Sequence, residues 1–224
     1  MRTLSDTEIT ILEDQGCWAE DWSNIQVDED FQPTFLRRVM FYGKITLGVF
    51  ETSIEVSKDF YKHTGIFNAT LRNVAIGDNC LIENVGNYIN NYTIGDGCYI
   101  SNISTLETTE GATYGEGNLI SVLNEVGEGN VLLFDRLNSQ AAAFMVKHAH
   151  DKELKDSLRR MIREYIRVTL PDHGILGNRV KIINTKEITN TIIGDDCEVN
   201  GASRLSDCTI ISTPQANVYS GTGV

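Results

Sequence analysis

The segment Ile76-Gly77-Asp78-Asn79-Cys80-Leu81-Ile82 returns eighteen residues later as Ile94-Gly95-Asp96-Gly97-Cys98-Tyr99-Ile100, and in close form as Ile193-Gly194-Asp195-Asp196-Cys197-Glu198-Val199. Eighteen is three six-residue units. A fixed period marks a chain of stacked units, none of which can bury its apolar face without its neighbours. In each unit an aliphatic residue points inward at the first place and a glycine or small polar residue turns at the second. A small residue fills the interior at the fifth, where Cys80, Cys98 and Cys197 stand. Unit starts at Ile76, Ile82, Tyr88, Ile94 and Ile100 place residues eighteen apart on neighbouring coils of three units each, about 4.8 Å from each other as in any parallel ladder. Asp78 is then expected beside Asp96, and Asn84 beside Asn102. In the second half the starts are Leu176, Ile182, Ile188, Ile193, Val199, Leu205 and Ile211, and the residue lost between Ile188 and Ile193 predicts a tightened corner.

On these residues the chain resembles the hexapeptide-repeat proteins, a family that includes bacterial acyltransferases and sugar-nucleotide enzymes. The resemblance implies a mainly β fold, a left-handed parallel β-helix, and the handedness comes from the resemblance alone. Gln15-Gly16-Cys17, Ala19-Glu20-Asp21-Trp22-Ser23 and the run from Gly77 to Val85 are similar to a Bacteroidetes group described only as hexapeptide transferases or as a domain of unknown function. Those proteins are typically longer. Val218 and Val224 are again one unit apart, so an N-terminal portion of a longer protein, or an open end covered by a partner, is expected.

The pattern divides the chain into an N-terminal cap (1–62), a first β-helix block (63–121), an excursion with a helical hairpin (122–174) and a second, open-ended block (175–224). Ser5-Asp6-Thr7-Glu8 is a capping box that predicts a helix from Ser5. Phe35 to Phe50 alternates as one or two strands joined at Gly43. Tyr114 to Ile120 fits the repeat frame and predicts a third coil. Val122–Glu125 and Val131–Phe134 read as a hairpin, and two helices follow. Leu137, Ala141, Phe144 or Met145, and His148 share a face of the first. Leu154, Leu158, Met161, Tyr165 and Val168 form a stripe on the second, with Asp151 as its N-cap and Pro171 forcing its end near Thr169.

The 224 residues suffice for a real core, and a net charge of -12 argues against nucleic acid or an anionic membrane as partner. Met1 is followed by neither a signal peptide nor a membrane span, and four of the five cysteines sit inside repeat units. Reduced thiols in a cytoplasmic protein are expected, with stacking of Cys80 on Cys98 favoured over a disulfide.

One helix reverses the charge: Lys152, Lys155, Arg159, Arg160, Arg163 and Arg167 outnumber Glu153, Asp156 and Glu164. Arginine forks suit phosphates, so Arg159, Arg160 and Arg163 are candidates to hold acetyl-CoA or a sugar nucleotide. A solvated face laced by Asp156–Arg160 and Arg160–Glu164 pairs explains the same residues without a ligand. The resemblance also implies a histidine general base. His63, just before the repeats, and His173, in the Pro171-Asp172-His173-Gly174 return loop, are the candidates. His148 and His150 are expected to face different sides of a helix, no histidine falls inside a clear unit, and no metal site is expected. Asp135 and Arg136 read as an ion pair anchoring the arm, and no nucleotide-binding glycine fingerprint occurs.

Two functions are therefore carried forward. One is a transferase of acyl or sugar-nucleotide type, of which this chain is a non-catalytic N-terminal part. The other is a structural, oligomerising module without enzymatic activity. A homo-oligomer, by resemblance a trimer, and a small phosphorylated ligand are the expected partners.

Overall fold

The computed structural model describes residues 1–122, 129–213 and 219–220. Strand β1 (Arg2–Thr3) leads into helix α1 (Asp6–Asp14), followed by β2 (Trp18–Ala19), β3 (Ile25–Val27) and β4 (Leu36–Leu47). The hairpin of β5 (Ser53–Ser57) and β6 (Phe60–His63) precedes three long strands, β7 (Gly65–Ile76), β8 (Leu81–Ile94) and β9 (Tyr99–Glu107). A second hairpin, β10 (Leu119–Ser121) with β11 (Asn130–Leu132), introduces α2 (Ser139–Lys147) and α3 (Lys152–Thr169). The chain then forms β12 (Gly174–Leu176), β13 (Lys181–Ile183), β14 (Glu187–Ile193), β15 (Glu198–Asn200), β16 (Arg204–Ile210) and β17 (Tyr219–Ser220).

All strands outside the two hairpins join one thirteen-stranded, mainly parallel sheet. Within it β8 pairs with both β9 and β12, and β14 pairs with the same two, so the four strands close a ring. The expectation of a left-handed parallel β-helix is thereby corrected. The structure shows a closed four-stranded parallel barrel with further strands on either side of it. The cause lies in two bends, at Asn91 (φ 56°) and Asn190 (φ 51°). Before each bend β8 and β14 pair with β9, and after it they pair with β12. β9 ends at Glu107 and β12 begins at Gly174, so the strand that returns from the helical excursion continues the first half directly.

Columns of aliphatic side chains run through the interior at the observed register. Ile66, Ile82, Ile100, Ile182 and Val199 are successive partners and all are buried, as are Leu47, Ile76, Ile94, Leu176 and Ile193. Tyr88, expected inside, is 37 % exposed and bonds Glu107, while Ile89 takes the interior place. The five-residue step from Ile89 to Ile94 equals that from Ile188 to Ile193. The shorter step is therefore a regular corner of both halves and no special slip of the second. Tyr114 to Ile120 do not form a third coil either: Leu119–Ser121 pair antiparallel in a separate hairpin.

The corners explain the Gly-Asp repeat. The Asp78 carboxylate accepts from the Val49 N–H (3.0 Å), Asp96 from Asp78 (2.8 Å), Asn178 from Asp96 (2.9 Å) and Asp195 from Asn178 (2.7 Å). Beside each bond a glycine N–H donates to the next level, as from Gly77 to the Ile94 carbonyl (2.8 Å) and from Gly95 to Leu176 (2.8 Å). Glycine is required for space: a Cβ on Gly77 would lie 2.3 Å from Asp96 Oδ1. At the neighbouring position the chain turns left-handed, through Asn79, Gly97, Arg179 and Asp196 (φ 54–65°), which asparagine, aspartate and glycine tolerate best. Arg179 holds that conformation with a two-toothed bond to Asp196 (2.6 and 2.8 Å). The thiols of Cys80 and Cys98 donate to the carbonyls of Gly95 and Gly177 (both 3.0 Å), and all five cysteines are free. The hydrogen bond with Cys98 and burial push the Cys80 thiol well above the usual range.

At the N-terminus Ser5 and Glu8 form the expected capping box, and the Arg2 guanidinium grips Glu8 through two bonds (2.7 and 2.8 Å). Those bonds, against the opposing effect of burial, and then the Ser5 bonds hold the Glu8 carboxyl down to about 2.

Two outcomes follow. Asp96→Ala leaves the Asp78 N–H without its charged acceptor and should cost about 1–3 kcal/mol in urea unfolding, with Asp96→Asn costing less. Glu8, whose folded value lies below its ordinary 4.5, stabilises fully above that value and ceases to as pH falls towards 2. Glu8→Gln should therefore flatten the loss of urea midpoint across this acid range.

Candidate functional site

The candidate residues stand in three places. His63 closes β6 and stacks its ring on Phe35 (centroids 3.8 Å apart, 13° between planes), with Nδ1–H donating to the Thr64 carbonyl at 2.8 Å. The ring thus packs the hairpin β5–β6 against the start of β4. The same hairpin carries a feature that sequence reasoning missed. Lys62 pairs with Glu83, which is 8 % exposed and also accepts from Tyr99 Oη (3.3 Å) and Ser101 Oγ (3.1 Å). The eighteen-residue step from Glu83 to Ser101 was the available signal. The cluster locks the hairpin onto the strand face.

His173 lies where α3 returns to the sheet. Its Nδ1 sits 2.7 Å from Asp172 Oδ1, and this bond, then the imidazole's charge, draws the Asp172 carboxyl down. The pair borders a groove of about 350 Å³ whose other walls include Lys44, Asn73, Asn91 and Thr93. A carboxylate on Nδ1 orients an imidazole so that Nε2 is free to take a proton.

The arginines are on α3 and share one groove. Arg160 and Arg163 are exposed and, with Arg159, Arg167, Asp156 and Glu164, border an outer groove of about 810 Å³. The expected pairs Asp156–Arg160 and Arg160–Glu164 are absent among the described residues. Glu164 is bound by Arg167 instead (2.6 and 2.9 Å). Arg159 borders this groove and also lines an inner cavity of about 460 Å³ between β11, α2 and α3. The buried stripe of α3 accordingly runs through Ile162, flanked by Leu158 and Tyr165, whose hydroxyl bonds Asp135 (2.8 Å). Met161 and Val168, expected in that stripe, are 61 % and 68 % exposed. On α2 the buried residue is Ala142.

His148 and His150 also line the inner cavity, with ring centroids 6.2 Å apart. The expectation that they face opposite sides of a helix fails because α2 stops at Lys147 and His148 is already its C-cap. Asp135 and Arg136 approach to 3.7 Å, and Glu125 and Asn124 lie outside the described residues. The groove beside His173 is thus a different one from the two that the arginines of α3 border. Among the described residues no helix is long and apolar enough to cross a membrane, and no three His, Cys, Asp or Glu side chains are placed to hold a metal.

A family model described as Domain of unknown function (DUF4954) matches residues 1–224. The chain belongs to the DUF4954 family. An uncharacterized protein of Treponema pallidum (strain Nichols) is 26 % identical over 234 residues, an alignment covering all of this chain and 32 % of that protein. The chain thus spans about a third of the length of this relative. Neither the DUF4954 description nor the relative's name states an activity, so the chemistry rests on the geometry above.

If His63 is a packing residue, His63→Ala should lower thermal stability by about 0.5–1.5 kcal/mol, the worth of a stacked ring pair. His63→Phe should restore most of it. Restoration by the apolar ring is the outcome that separates packing from proton transfer.

Proposed function

We propose that this chain is a structural, oligomerising module of a longer protein: a rigid stack of parallel strands that presents the helices α2 and α3 to a second copy of itself. The observation that carries this reading is the exposure of Met161 and Val168. They lie seven residues apart, hence on one face of an eighteen-residue helix. Apolar side chains aligned on one helix face are the usual seam of a helix–helix interface. The five free cysteines, four of them buried, support a reducing, cytoplasmic setting.

The transferase reading keeps one supporting feature, the Asp172–His173 pair beside its groove. It loses the others, since His63 packs on Phe35 and the arginines of α3 border different cavities from His173.

Light scattering on the full chain tests the proposal. The wild type should be an oligomer, with a trimer the favoured form, and Met161→Glu with Val168→Glu should yield monomers with an unchanged circular dichroism spectrum. A monomeric wild type at high protein concentration would remove the reading. Thermal shift with acetyl-CoA and sugar nucleotides tests the alternative, which would be supported by stabilisation that disappears in His173→Gln.

A further inference from the structure

The inner cavity of the arm differs in character from the rest of the molecule. Its floor is apolar, built of Val131 from β11, Met145 from α2, and Leu154, Leu158 and Ile162 from α3. Its polar groups are Lys155, Arg159, His148 and His150, with Asn130 beside them. No carboxylate lines it among the described residues, although acidic residues outnumber Lys and Arg by 31 to 19 in the chain. At about 460 Å³ it falls within the range of small-molecule sites, which are mostly apolar with a few convergent polar groups.

The cations there are poorly satisfied by the protein itself. Lys155 and Arg159 stand one helical turn apart, a like-charged spacing that weakens a helix. Neither has a carboxylate within ion-pairing distance among the described residues. Arg159 reaches only the Asn130 carbonyl, at 3.5 Å, which leaves most of its five N–H groups for another acceptor. The end of α2 at Lys147 brings His148 and His150 to the same opening, and the His148 ring lies against Phe144 (centroids 4.6 Å). Two permanent cations and two imidazoles above an apolar floor ask for an anionic group attached to an apolar or aromatic body.

We infer that the cavity between β11, α2 and α3 is a binding site for a small organic anion, a phosphate, sulfonate or carboxylate carried on an aromatic or aliphatic group. The anionic head bonds Arg159 and Lys155, with His148 and His150 as further donors. The body lies on Met145, Leu158 and Ile162. An inorganic ion would leave the apolar floor empty, and a neutral body would leave the cations unpaired. Arg160 and Arg163, which point to the outer groove, take no part. The site stands apart from the oligomer seam, so a monomeric chain that binds and an oligomeric chain that does not are distinguishable results.

Calorimetric titration of the full chain with 1-naphthyl phosphate, inorganic phosphate and 1-naphthol tests this inference. Naphthyl phosphate should bind saturably, and each of the other two at least about tenfold more weakly, the equivalent of one well-made charged contact or one buried ring. Lys155→Ala with Arg159→Ala should weaken naphthyl phosphate about tenfold or more, while Arg160→Ala with Arg163→Ala leaves it unchanged. Leu158→Trp, which fills the floor, should abolish binding. If that variant does not fold, the two rim pairs alone decide. No saturable binding of naphthyl phosphate, equal binding of naphthol, equal binding of inorganic phosphate, or loss of affinity in the Arg160/Arg163 variant would each overturn the inference.

Discussion

One bond repeats level after level down one corner of this protein: a carboxylate or amide oxygen accepts the backbone N–H of the residue stacked beside it. It runs from Val49 through Asp78, Asp96 and Asn178 to Asp195. A parallel sheet whose strands bend sharply exposes N–H groups at each bend, and each would cost free energy if left unpaired. The ladder satisfies them and fixes the level at which each strand starts. The glycine before each acid is a consequence, because only its missing Cβ lets the next carboxylate approach. The aliphatic columns then fall into line, since a strand that starts at the right level places every second side chain inward.

The same constraint decides how the helical arm is accommodated. The bond from the Asp96 N–H to Asn178 joins residues 82 positions apart and is as short as that from Asp78 to Asp96, 18 apart. The intervening chain can leave and return because the ladder sets only the corner to which it comes back. The arm carries a basic helix in an acidic chain, exposed apolar side chains such as Met161 and Val168, and a lined cavity. The ion pair of Lys62 with the buried Glu83 carboxylate serves to hold a hairpin in place.

The legible part of the sequence was the part ruled by local spacing. The eighteen-residue step is the observed register of Leu81 on Tyr99 and Ile82 on Ile100, and the Ser5 and Asp151 caps lie where their side chains announced them. Closure of the ring was not legible, because it depends on bends at Asn91 and Asn190 that let one strand pair with two partners. Ile89 rather than Tyr88 points inward for the same reason, since the longer side before that corner shifts the phase by one residue. In the arm, periodicity alone could not decide which face of α3 is covered. Tertiary packing chose Ile162 and Arg159 and left Met161 and Val168 outside. The meeting of His148 and His150 depended on where α2 stops, and helix ends are set by caps that apolar patterns do not show.

Continuity across the insertion is the property on which the rest depends, and native-state hydrogen exchange measures it most directly. If the corner ladder joins the two halves, the amides of Gly95 and Asp96, which donate to Leu176 and Asn178, open only in the same unfolding event as those of Gly77 and Asp78. Residues 174–210 should then share one opening free energy with residues 65–107. Exchange of 174–210 at distinctly lower free energy, with Gly95 and Asp96 following that half while Gly77 and Asp78 stay protected, would contradict a single continuous scaffold.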